Sequence, residues 1–173
     1  MRIKPPWWLL VGDTINVVSR YTRLFLSFFL TFGAGFVGTF FASTKVKTWY
    51  INLDKPYLSP PDWVFAPVWI GIYALMGTAL YRIWRLAHYR KDARIWTAIF
   101  LIHLFLNASW AVLFFGLENS LLALIDIIAI LLMLLWLIVR AWWIDRTSGW
   151  LLVPYLLWVS FATYLNFSIW FIT

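Results

Sequence analysis

Four polar side chains in this sequence lie within long apolar runs and could do chemistry there: His103, Asn107, Asp126 and Asn166. A polar or ionisable group in an apolar span is costly, so each marks either a functional site or a tie between helices. Ties of that kind contribute about 0.6 to 2 kcal/mol each. His103 and Asn107 are four residues apart and share one helix face, which Trp110 continues. Trp158, Ala162 and Asn166 repeat the spacing further on, and Trp69 and Tyr73 make a third such face. Aromatic walls with a few placed polar groups describe a small-molecule pocket, suited to a flat aromatic ligand with polar tips. Asp126 stands apart. A carboxylate at that depth must be protonated, paired or open to a wet cavity, and His103 is the candidate partner. Other chemistries find no support. There is no cysteine, the two histidines (His88 and His103) have no cluster around them, and neither a nucleophile–base pair nor a phosphate loop is present. No metal and no cofactor is called for.

The elements that must position these residues follow from hydropathy. Of 173 residues, 64% are hydrophobic and 12% charged, with mean hydropathy +0.82. A soluble domain carries about 45–50% apolar and about 25% charged residues. The bilayer is therefore the solvent, and the predicted fold is an all-α, polytopic bundle of five transmembrane helices. Stretches of about 20 apolar residues occur at Leu24–Ser43, Trp63–Trp84, Ile95–Phe115, Asn119–Val139 and Trp150–Thr173. Residues 24–173 form one membrane domain. Residues 1–23 form an extension, either an interfacial helix or a disordered tail, and its short broken apolar run does not make a signal peptide. The net charge of +7 raises nucleic acid as a partner, but basic residues in a membrane chain belong to its loops, and no nucleic acid is expected. With five spans, eleven Lys and Arg fall on the side of the N-terminus and three on the other. That bias places the N-terminus in the cytoplasm. No internal repeat is visible, which argues against a symmetric transporter.

Span one carries small residues at four-residue spacing, Ala34, Gly38 and Ala42 beside Gly35, Thr39 and Ser43. Such a ridge lets another helix approach closely, within the bundle or in a second subunit. The one long connection, 44–62, is rich in proline and aromatic residues. Pro56, Pro60 and Pro61 make it ordered and non-helical, with Pro61 placed to start span two. With Trp49, Tyr50, Tyr57 and Trp63, it reads either as a lid over the bundle's mouth or as an interfacial anchor.

The pattern W-Y-x-x-L-x-K-P-x-x-x-P-P-x-W-V-F-x-P-V-W, from Trp49 to Trp69, resembles the TspO/MBR family of tryptophan-rich sensory and translocator proteins. Phe105–Gly116 (FLNASWAVLFFG) and Val153–Phe167 (VPYLLWVSFATYLNF) resemble two further blocks of that family, in the same order. The resemblance implies a membrane receptor or sensor that binds porphyrins, notably protoporphyrin IX, or another hydrophobic small molecule below the first loop. It implies pocket roles for Trp69, Trp158 and Asn107, matches Asp126 to a family acid on helix four, and implies a place near the ligand for Ser160. With the faces above, the candidate ligand-binding set is Trp49, Tyr57, Trp69, Tyr73, His103, Asn107, Trp110, Asp126, Trp158, Ser160, Ala162 and Asn166. It also implies a second reading, light- and oxygen-dependent breakdown of the porphyrin with Trp69 and Trp158 as catalytic residues, and a third, transport of tetrapyrrole or lipid. The chain departs from the family twice. Phe167 stands where sterol-binding members have tyrosine, with no basic residue after Trp170. Trp96, Phe100 and Leu104 occupy span three where bacterial members dimerise on small residues, so a homodimer would use other faces.

Overall fold

The computed structural model describes residues 7–46, 48–53 and 56–172, with side chains from Ser19 onward except at 44 and 51. The described residues form helices and no strand: α1 (Trp7–Lys45), α2 (Asp62–Trp84), α3 (Lys91–Ala111), α4 (Ser120–Ile144) and α5 (Arg146–Ile172). Each contains a stretch long and apolar enough to cross a membrane. Helix α1 packs on α2 and α3, α4 on α3 and α5, and α2 on α5.

The helices outrun the apolar stretches, and mostly at one end. Helix α4 continues past Val139 through Arg140 and two tryptophans to Ile144, and α5 begins at Arg146. Long cationic side chains reach water from a helix that is still in the bilayer boundary, so charge does not end the helix. The backbone of α1 is likewise continuous from Trp7 into span one. The side chains at 7–18, together with residues 1–6, lie outside the described set, and so does any judgement on an interfacial face there.

Burial is inverted relative to a soluble protein. Phe25, Phe29, Phe36 and Phe40 of α1 are exposed, whereas Ser27 and Thr31 are buried. Both hydroxyls are satisfied by their own helix, Ser27 Oγ donating to the Arg23 carbonyl at 2.7 Å and Thr31 Oγ1 to that of Ser27 at 3.1 Å. Lipid covers the exposed rings and helix–helix contact covers the small polar groups. The ridge on α1 is used inside the bundle: Gly35 lies on the Tyr73 ring of α2, and a Cβ at Gly38 would meet Ala111 of α3 at 3.6 Å. The reading of α3 needs correction. Trp96, Phe100 and Leu104 are buried, and Trp96 Nε1 donates to the Leu137 carbonyl of α4 at 2.8 Å. The outward face carries Ile95, Ala98, Leu101, Ile102 and Phe105, so the bulk of the inner three does not bear on what α3 offers a second copy.

At one end, α3 widens into a π-helical turn, Val112–Gly116, in which Leu117 N reaches back to the Val112 carbonyl at 2.8 Å. Glu118 follows in the left-handed region, φ 53°, which non-glycine residues seldom occupy. Its carboxylate pairs with Lys45 at 2.6 Å and ties the end of α1 to the α3–α4 connection. At the opposite end Arg82 of α2 holds Asp145 with two bonds, 2.7 and 2.9 Å. Asp145 also caps α5, accepting from Ser148 N at 3.1 Å and Ser148 Oγ at 2.5 Å. The Arg82 guanidinium, then Ser148, hold the Asp145 carboxyl below its ordinary range. A carboxyl so depressed contributes stability above the ordinary Asp range near about pH 4, and that contribution is lost as pH falls through the folded value. Asp145→Asn keeps the cap and removes the charge. It is expected to cost about 1 kcal/mol at neutral pH and to flatten the acid limb of stability against pH, measured by unfolding in detergent.

Candidate functional site

The predicted faces of α2, α3 and α5 meet. Tyr73 O–H donates to Asn107 Oδ1 at 2.9 Å, and Asn107 Nδ2 donates to the Tyr155 hydroxyl at 2.9 Å. Tyr155 in turn lies 3.1 Å from His103 Nε2. With Tyr155 donating to His103, each donor in this chain has one acceptor. All four residues are buried, His103 and Tyr155 completely. Three helices are thus joined by one polar chain, in an interior where an orphaned group would be costly.

Aromatic rings surround the chain. Trp69 stacks on Tyr73 with centroids 5.3 Å apart and planes at 22°. It meets Trp158 edge-on at 6.4 Å and Tyr155 at 6.3 Å. Trp158 also contacts Phe65 at 5.7 Å. On the other side Trp110 Nε1 donates to Asn166 Oδ1 at 3.0 Å, and Asn166 Nδ2 donates to the Ser120 carbonyl at 2.9 Å. Trp69, Asn107, Trp110, Ile127, Ile130, Val159 and Ala162 line a cavity of about 10 Å³. That is roughly the space of one water, whereas ligand pockets run to about 300–1,000 Å³. The rings fill the site with one another, and any sizeable guest must part them.

The first loop covers this end. Tyr50 is buried and packs on Phe114 and Phe115 of the π-helical turn, 6.3 and 5.9 Å away. Burial raises its phenol above the usual range. Trp49 meets Phe114 at 5.4 Å, and Phe114 stacks on Trp110 at 5.2 Å and 14°. The loop therefore rests on the cavity wall through one intervening ring.

Trp69, Tyr73, His103, Asn107, Trp110, Trp158, Ala162 and Asn166 come together, and Trp49 approaches through Phe114. Three of the expected residues stand apart from this cluster. Tyr57 is fully exposed, since the proline-bracketed loop turns it outward. Ser160 is exposed, its hydroxyl returned to the Leu156 carbonyl at 2.8 Å. Asp126 does not pair with His103: its Oδ1 accepts from Ser109 Oγ of α3 at 3.3 Å, while His103 turns to Tyr155. Tyr155 is the residue that sequence reasoning missed. It stands three before Trp158 and four before Val159, so it shares their face, and a buried tyrosine needs a partner for its hydroxyl. Three buried polar atoms lack a protein partner among the described residues: His103 Nδ1, Asp126 Oδ2 and Trp158 Nε1. Trp158 also lines a groove of about 440 Å³ on the outer face between α2 and α5, which both Pro67 and Pro154 border. Interior prolines delete a helix bond and bend the helix, which fits a gap opening between these two.

A model of the TspO/MBR family matches residues 27–171. The chain belongs to the TspO/MBR family. It is 41% identical over 147 residues to the tryptophan-rich protein TspO of Archaeoglobus fulgidus, covering 85% of this chain and 94% of the relative. It is 37% identical over 150 residues to the tryptophan-rich sensory protein of Cereibacter sphaeroides, covering 84% and 88%. With the translocator protein of Bos taurus it shares 32% identity over 167 residues, covering 96% and 90%. As a TspO/MBR member with five candidate spans, it is an integral, multi-pass membrane protein in contact with lipid.

Proposed function

We propose that this protein is a membrane receptor or sensor for a flat, polar-edged aromatic ligand of the tetrapyrrole class, such as protoporphyrin IX, bound where Trp69, Trp110 and Trp158 converge. Its N-terminus lies in the cytoplasm, on the side of the basic loops. The names of its relatives, sensory protein and translocator protein, support a sensing or translocating role. The observation that carries the ligand class is the ring set itself. Trp69 already stacks on Tyr73 and meets Trp158 edge-on beside the Asn107–Tyr155 hydrogen bond. Rings that pack on one another would pack on a planar guest, and the unpartnered Trp158 Nε1 offers a donor to an acceptor at its edge.

The test is a titration of purified protein with protoporphyrin IX, following tryptophan fluorescence. Quenching with micromolar or tighter affinity is expected. Its rate should fall below the typical association range of about 10⁵–10⁷ M⁻¹s⁻¹, because the closed cavity must open first. Trp69→Phe with Trp158→Phe should weaken binding by about tenfold or more. Unchanged affinity in the double variant would refute the site. The same samples under light address oxidative breakdown, which two indoles 6.4 Å apart would assist. Bleaching no faster than in empty detergent would exclude it.

A further inference from the structure

At the end of the bundle opposite the loop, two guanidinium groups converge on one phenol. Arg20 of α1 donates from Nε to the Tyr81 hydroxyl of α2 at 3.2 Å. The Arg85 guanidinium carbon lies 5.4 Å from the centroid of the same ring. Arg23 follows one turn along α1 from Arg20. Like charges gathered in this way repel unless an anion lies between them.

No described carboxylate serves. Asp92 is held by Arg90 at 2.6 Å and Asp145 by Arg82 at 2.7 Å. Asp62, Glu118 and Asp126 belong to the loop end of the bundle, at the start of α2, beside Lys45 and on the first turns of α4. Depth points to a partner from the bilayer. The apolar stretch of α1 begins at Leu24, directly after Arg20 and Arg23, and the span of α2 ends at Trp84. Arg20, Tyr81 and Arg85 therefore stand at the membrane boundary, where lipid headgroups lie. Because the Tyr81 oxygen accepts from Arg20, its own hydrogen is left to donate outward.

We propose that Arg20, Tyr81 and Arg85 form a headgroup site for an anionic phospholipid where α1 meets α2. The two arginines meet the lipid phosphate with charge-assisted bonds, and the phenol supplies a third donor. The site is independent of the ligand cavity, and its occupant pins α1 to α2 at the bundle's basic end.

Native mass spectrometry of the detergent-solubilised protein, titrated with phosphatidylglycerol or phosphatidylcholine of matched chains, tests this. A saturable preference for phosphatidylglycerol is expected. Arg20→Gln with Arg85→Gln should reduce it by about fivefold or more, whereas Arg94→Gln with Arg146→Gln, removing equal charge from the same end, should leave it intact. Equal loss in both pairs, or none in the first, overturns the proposal. Tyr81→Phe keeps every charge and guards against misfolding of the double variant. It should lower the preference about twofold to threefold, and an unchanged preference counts against a built site. Displacement of the lipid by excess inorganic phosphate would also overturn it, showing a site for soluble phosphate.

Discussion

Tyr155→Phe is expected to lower the stability of the detergent-solubilised protein by about 2–3 kcal/mol. Hydrogen bonds between membrane helices average only about 0.6 kcal/mol and reach about 1.7, so one lost bond would not suffice. Tyr155, however, serves two partners from one atom: it accepts from Asn107 Nδ2 and pairs with His103 Nε2. Phe fills the same space and serves neither. His103, already without a partner at Nδ1, would have both ring nitrogens unpaired in a fully buried setting. Asn107 would keep only the bond from Tyr73. The comparison that isolates the cause is Tyr155→Phe combined with Asn107→Leu. Removing both partners together leaves fewer orphans, so the double variant should lose at least about 1 kcal/mol less than the sum of the singles. Tyr164→Phe, on an exposed part of α5, should shift stability by less than about 0.5 kcal/mol. Additive losses, or a neutral Tyr155→Phe, would mean that the chain Tyr73–Asn107–Tyr155–His103 does not hold the helices together.

That chain also shows where sequence reasoning stopped. Periodicity assigns residues to a face of their own helix, and on that ground Trp69, Asn107 and Trp158 were all legible as inward. It says nothing of the rise of one helix against another, so the choice of Tyr155 over Asp126 as the partner of His103 could not be read. Ser160 is the opposite case. Two residues after Trp158, it is turned about 200° round the helix, so an inward Trp158 already implies an outward Ser160. The family resemblance implies a place near the ligand for Ser160, whereas the geometry of a single helix turns it away from the face of Trp158. Tyr57 lies in a segment where prolines leave no period to read. The helix ends lie beyond the apolar stretches for a different reason. Hydropathy falls at Arg140 and Arg146, but arginine is a good helix former, so the backbone continues where the apolar signal ends.

The packing of α1 on α2 supplies the sharpest contrast available in this chain. Gly33 and Gly35 are two residues apart in the same helix, and replacing either by alanine improves helix propensity by about 1 kcal/mol. A Cβ at Gly33 would meet nothing within 4 Å, whereas one at Gly35 would fall on Tyr73 Cε2 and within 2.7 Å of Cδ2. The Tyr73 ring has no simple retreat. Trp69 stacks on it, Phe32 lies 6.3 Å away, and its hydroxyl is fixed to Asn107. Gly35→Ala must therefore push α1 outward or break the Tyr73–Asn107 bond. Overpacking costs about 1–3 kcal/mol and an orphaned Asn107 about 1–3 kcal/mol more, against which the propensity gain is small. A net loss of about 2–4 kcal/mol is expected for Gly35→Ala, with Gly33→Ala neutral or slightly stabilising. The displacement also reaches Trp69 through the stacked ring, so Gly35→Ala should weaken protoporphyrin binding although residue 35 lies outside the cavity lining. Equal stability of the two variants in a denaturant titration would show that α1 yields freely and that the small-residue ridge is not what seats it against the aromatic site.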